Sequence, residues 1–168
     1  MVTSDSNFNS VTKSLDSLEG FETKKALSLS NDGIVHGFRE KFEKILSYGI
    51  DFVFGNHDEA LALTGTDNLN DAIEYLKQKN FSTIITDGPN GSFIITDGDV
   101  IKSNGFVVEA IDTNGAGDMF AGAFMHAILS GKDLHECGAF ANLAASKIVQ
   151  TFGPRLKKKE YQDLLENL

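Results

Sequence analysis

Asp112-Thr113-Asn114-Gly115-Ala116-Gly117-Asp118 is the segment with the clearest chemical content. Gly115 and Gly117 let the backbone approach a ligand with no side chain in the way. The apolar-faced run that follows, with Met119, Phe120, Ala123, Phe124, Ala127 and Ile128, predicts a helix opening at this point. The first N–H groups of a helix lack intrahelical partners and sit at the positive end of its dipole, which suits a phosphate. A carboxylate at the same place, Asp118, is positioned to take a proton from an attacking hydroxyl. Charge building on a transferring phosphoryl group would meet the backbone N–H groups. Asp112 reads as orienting the turn through bonds to backbone N–H groups. The segment lacks the Gly-Lys-Ser/Thr ending of a P-loop and the Gly-x-Gly-x-x-Gly of a dinucleotide fingerprint. Without further information, a glycine turn with an acidic helix start is an equal reading.

Three other places carry polar groups in suggestive positions. Asn56 and Glu59 lie three apart at a strand-to-helix junction, which is the spacing of a capping box. Thr86, Gly88 and Gly91 belong to a strand-end turn. Asn142 interrupts an apolar helix face between Ala141 and Leu143, so it faces solvent or has a partner. The histidines (His36, His57, His126, His135) have no metal-ligand spacing, and His126 reads as a core or boundary residue. Cys137 reads as packing, and Lys157-Lys158-Lys159 as a solvated helix start.

The elements that must position these groups alternate. Helical stripes at Phe8–Leu18 (closed by Gly20), Phe38–Leu46 and Leu69–Leu76 separate strands at Ala26–Leu29, Asp51–Phe54 and Ser82–Thr86. Such alternation predicts parallel strands covered by helices. The connections then shorten: Ser92–Thr96, Val100-Ile101 and Phe106–Val108 are expected as strands joined too tightly for helical crossovers, hence antiparallel. After Asp112 the chain is helical to its end, with a capping box at Asp133 and Glu136. The fold class expected is α/β with a mostly parallel sheet and an antiparallel edge.

Composition narrows the function. The 168 residues carry 15 Lys plus Arg against 24 Asp plus Glu, a net charge of −9. That balance argues against gripping a nucleic-acid backbone, though not against one small phosphate ligand. A single cysteine permits no internal disulfide and fits a reducing cytoplasm. No stretch approaches a membrane span, and the first residues have no signal-peptide pattern. No nucleic-acid or membrane partner is expected.

Residues 112–118 resemble the signature of the ribokinase-like, or PfkB-type, carbohydrate and nucleoside kinases, and the resemblance runs from roughly residue 24 to residue 156. It implies a three-layer α/β/α fold and ATP-dependent phosphorylation of a hydroxymethyl group of a sugar or nucleoside. By the same resemblance Asp118 is the base, and Gly115, Ala116 and Gly117 form the anion hole. Asn56-His57-Asp58-Glu59 matches an Asn-x-x-Glu element associated with magnesium, so Asn56 and Glu59 are implied in metal placement. Thr86, Gly88, Gly91 and Asn142 are implied as ATP contacts. Asp112 is implied in holding a monovalent cation with carbonyls near residues 150–155. The ending Gln150-Thr151-Phe152-Gly153-Pro154-Arg155 resembles an adenosine-kinase-like branch.

Complete members of that family are roughly twice as long, and their front half carries sugar-binding segments, a lid sheet and much of the dimer surface. None of that precedes residue 24, so the chain is expected to be the C-terminal part of one kinase domain, 1–168. Its partners would be a sugar or nucleoside substrate and either a second copy in a homodimer or the missing N-terminal half. The alternative to a kinase is a catalytically silent nucleotide-binding or regulatory module, and a third reading is a structural α/β subunit.

Overall fold

The computed structural model describes residues 4–166 and 168. In chain order the elements are α1 (Asp5–Asp16), β1 (Ala26–Ser28), α2 (Asp32–Gly37), α3 (Arg39–Leu46), β2 (Phe52–Asn56), α4 (His57–Thr64), α5 (Leu69–Leu76), β3 (Ser82–Thr86), β4 (Gly91–Thr96), β5 (Asp99–Asn104), α6 (Ala116–Leu129), α7 (Leu134–Ile148) and α8 (Lys158–Leu165). Among the described residues the strands form one sheet in the order β1-β2-β3-β4-β5. β1 and β2 are parallel, with Leu27 opposite Val53. Asp97 and Gly98, at φ 50° and 82°, turn β4 straight back into β5. A two-residue connection of that kind joins antiparallel neighbours. The α/β class with a mixed sheet is therefore as expected.

Packing divides the chain into two units, the first running to Ile85 with Ile95–Asp99, the second comprising Thr86–Ile94 and Val100–Leu168. In the first, asparagine side chains cap the starts of α2, α4 and α5. Asn31 Oδ1 accepts the Ile34 N–H at the start of α2, and Asn68 Oδ1 accepts the Asp71 N–H at the start of α5, both at 3.0 Å. These bonds satisfy amides that no helical turn can reach. The core of this unit is aliphatic and aromatic, with Leu29, Val35, Phe42, Ile45, Val53, Leu76 and Ile84 all nearly inaccessible. α2 is an element that periodicity did not predict.

In the second unit α6 and α7 bury Phe120, Phe124, Ala141, Ala144 and Ile148. The Phe120 and Phe124 rings stack at 6.3 Å between centroids. Asp133 and Glu136 form the expected capping box at the start of α7, with bonds of 2.8 and 3.1 Å. A Cβ on Gly138 would lie 2.9 Å from Ile94 Cδ1 and from Ser103 Cβ. Only glycine lets α7 come this near the strands of its unit, and Asn142 follows one turn later on the same face.

One strand expectation is corrected. Phe106–Val108 is not a strand, and β5 is one continuous strand to Asn104 rather than a short piece at Val100-Ile101. β-branched and aromatic residues favour strands only where neighbours pack against them. Val107 instead is 91% exposed, with no such neighbour.

Candidate active site

α6 begins at a glycine. Gly115 is its N-cap at φ 79°, ψ 2°, a left-handed conformation that favours glycine. A Cβ there would also sit 2.9 Å from Pro154 Cβ. Ala116, Gly117 and Asp118 are the first three helical residues. The Ala116 N–H donates to Thr113 O at 3.2 Å, so one of the three amides implied for the anion hole is engaged in the turn. Among the described residues, the amides of Gly115, Gly117 and Asp118 have no protein acceptor. A Cβ on Gly117 would meet nothing within 4 Å, so open space lies beside that residue.

Asp112 holds the turn from behind. Its Oδ1 accepts the Asn114 N–H at 3.0 Å and its Oδ2 accepts the Gly153 N–H, also at 3.0 Å. These two bonds keep its carboxyl below the usual carboxylate range. The Ile111 and Asp112 amides both donate to Val149 O, at 2.7 and 3.2 Å. The glycine turn is thus laced to the chain that leaves α7.

Two hollows flank the start of α6. One, of about 330 Å³, is lined by Thr86, Gly88, Gly91, Asn142, Ala116 and Gly117, together with Phe106, Val108, Thr113 and Ser146. All four residues implied as nucleotide contacts therefore share one cavity with the helix start. The other hollow, of about 600 Å³, is lined by Gly115, Asp118, Met119, Gly122, His126, Arg155 and Tyr161. Asp118 is exposed there, and so is His126, which is not a core residue. Amides without protein acceptors and an exposed carboxylate thus lie together at the start of α6.

Asn142 is buried at 6% exposure. Its Nδ2 donates to Ser92 Oγ at 3.0 Å, to Ser103 Oγ at 3.1 Å and to Ser103 O at 3.4 Å. The sequence reading missed both serines. Ser146 could have been found from its spacing, one turn beyond Asn142 on α7. Ser92 and Ser103 lie 50 and 39 residues from Asn142 and give no local signal.

Asn56 and Glu59 lie in the first unit, at the β2–α4 junction. Asn56 Oδ1 accepts the Glu59 N–H at 2.9 Å, and Glu59 Oε2 accepts the Asn56 N–H at 3.0 Å, completing a capping box. Burial raises the Glu59 carboxyl pKa more than the Asn56 N–H bond lowers it. Among the described residues no cluster of three His, Cys, Asp or Glu side chains could hold a metal. Magnesium is commonly held by one or two carboxylates, waters and substrate phosphates, so Glu59 has suitable chemistry without such a cage.

The profile of the pfkB family of carbohydrate kinases matches residues 18–160. The chain belongs to that family. Among curated pfkB relatives and similar proteins, a nucleoside kinase from Methanothermobacter thermautotrophicus is 40% identical over 104 residues, 61% of this chain and 33% of the relative. A ribokinase from Haemophilus influenzae is 34% identical over 125 residues, 71% of this chain and 41% of the relative. The crystal structure of adenosine kinase from Sinorhizobium meliloti superposes with a TM-score of 0.87 at 28% identity, over 95% of this chain and 49% of that one. The pfkB fold is thus the three-layer α/β/α, ribokinase-like one. This chain spans a third to a half of the length of these relatives. Membership of the pfkB family is shown; similarity to both nucleoside kinases and a ribokinase leaves the branch within it open.

Proposed function

We propose that this chain is the nucleotide-binding and catalytic part of an ATP-dependent kinase that phosphorylates the hydroxymethyl group of a sugar or nucleoside. The substrate hydroxyl attacks the γ-phosphorus in line, its proton passes to the Asp118 carboxylate, and ADP leaves. The amides of Gly115, Gly117 and Asp118 receive the charge that grows on the transferring group. Ala116 shapes the hole, its own amide closing the turn onto Thr113. Thr86, Gly88, Gly91 and Asn142 line the nucleotide cavity. Magnesium, when bound, would neutralise phosphate charge, and Asn56 and Glu59 are the residues assigned to its placement. Asp112 is assigned to a monovalent cation with carbonyls of the segment after α7. The similarity to a nucleoside kinase and an adenosine kinase favours a nucleoside acceptor.

The observation that carries this reading is the pairing of amides without protein acceptors and an exposed Asp118 carboxylate on the first turn of α6. The test is radiolabelled phosphoryl transfer from ATP to adenosine and to ribose, by the chain alone and supplemented with the front half of a relative. Asp118→Asn is expected to cut turnover by about 10²–10⁴-fold with little change in ATP affinity. Near-normal turnover would remove Asp118 from the role of base.

The partial coverage of its relatives favours a second reading for the chain in isolation, a nucleotide-binding module without turnover. ATP binding by calorimetry with no transfer under either condition would establish it, and no binding at all would leave a structural subunit.

A further inference from the structure

α6 is apolar almost all the way round. Its 14 residues include only two polar side chains, Asp118 and His126. A helix of that kind belongs in an interior, covered on every side. One side is covered within the second unit, where Phe120, Phe124 and Ala127 are buried. The other is open. Asp118, Gly122, His126 and Leu129 fall within an arc of about 80° at about 100° per residue. All four are exposed, Leu129 by 76%. The first three also line the 600 Å³ hollow, as do Tyr161 and Leu165 of α8.

Gly122 shows what this face is shaped for. Glycine inside a helix weakens it relative to alanine. On α7 the reason for such a residue is visible, since Gly138 lets the helix touch Ile94 and Ser103. At Gly122 an added Cβ would meet nothing within 4 Å. Among the described residues no neighbour requires a glycine there, whereas a body packed closely against α6 would.

The occupant follows from coverage. The Sinorhizobium meliloti structure superposes over 95% of this chain but only 49% of its own. In a three-layer domain helices lie beside helices over one sheet, so the neighbour expected along α6 is a helix. We infer that the open face of α6, with the hollow it shares with α8, is the docking surface for the front half of a pfkB domain, which lays an apolar-faced helix across Gly122. This rests on membership of the family and not on the kinase reading.

The test co-expresses the tagged 168-residue chain with the front half of the Methanothermobacter thermautotrophicus nucleoside kinase and measures how much front half each chain retains. Gly122→Leu should retain at least about tenfold less than the wild type, because a large side chain fills the space a helix needs. Alone, the variant should melt no lower than the wild type, since leucine suits a helix better than glycine. Ala139→Leu, at an exposed position on α7, should retain the front half as the wild type does. A Gly122→Leu chain with wild-type retention would overturn the inference, and so would a wild type that retains none. A wild type that instead dimerises, and that Gly122→Leu makes monomeric in light scattering, would give the face to a second copy and overturn it as well.

Thiol labelling reads the same face without adding bulk. Cys137 is buried, and burial pushes its thiol pKa up to about 11. Leu129→Cys would therefore hold the one reactive thiol. A maleimide should label it freely in the chain alone and at least about tenfold more slowly in the complex, where water is excluded. Ala139→Cys should label alike in both. Equal rates for Leu129→Cys would place the front half elsewhere and overturn the inference. Calorimetric titration of the same samples with ATP keeps the two readings apart. A chain that binds ATP without retaining the front half removes only this inference, and a complex that binds no ATP removes only the nucleotide assignment.

Discussion

Glu59 is buried, yet its carboxylate caps the start of α4 by accepting the Asn56 N–H. Burial is the larger influence and raises its pKa. A carboxyl with a higher pKa in the folded chain favours folding when protonated. That contribution is complete below the ordinary range, near pH 4, and is lost as pH rises through the raised value. Glu59→Gln imitates the protonated form, so the variant and the wild type should match in stability at about pH 4. By pH 7 the variant should be the more stable, as read from urea denaturation at each pH. A wild type that gained on the variant as pH rose would show that the capping bonds outweigh burial. Asp112 is the opposite case: two backbone N–H bonds lower its pKa, so what it contributes is present at neutral pH and lost as pH falls through its folded value.

At the scale of elements, the turn before α6 depends on Gly115. Gly115→Ala would put a side chain into a left-handed conformation and against Pro154. The expected loss is about 1–3 kcal/mol of stability, measured by thermal or denaturant melting. ATP binding should weaken as well, because the amides of α6 would shift. An unchanged melt would mean that the turn relaxes freely. The sequence announced most elements through local chemistry. Asp133 and Glu136 marked the start of α7 because both capping partners sit within four residues. α2 escaped because its six residues include Gly33 and Gly37 and are too few to show a helical stripe. Phe106–Val108 misled because strand preference depends on neighbours the sequence does not display, and Val107 has none. The glycine turn of the site was legible for the same local reason as the caps. The serines around Asn142 were not, since strands and helix meet there only after folding.

For the whole molecule, the net charge of −9 opposes the approach of an anionic ligand. The helix dipole and free amides act only within the first turn, whereas net charge acts over a Debye length, about 30 Å at 0.01 M salt and 8 Å at 0.15 M. Association with magnesium–ATP should therefore speed up as salt rises across that range, in stopped-flow binding, and slow down if a local cationic field dominates. Among the described residues no helix is long and apolar enough to cross a membrane. The bond from the Gly153 amide to Asp112 spans 41 residues. It gives the molecule a remote gauge: loosening of the glycine turn must release that hydrogen to solvent. Deuterium uptake at Gly153 therefore tracks the condition of the turn that opens α6, a turn in which Gly153 itself has no place.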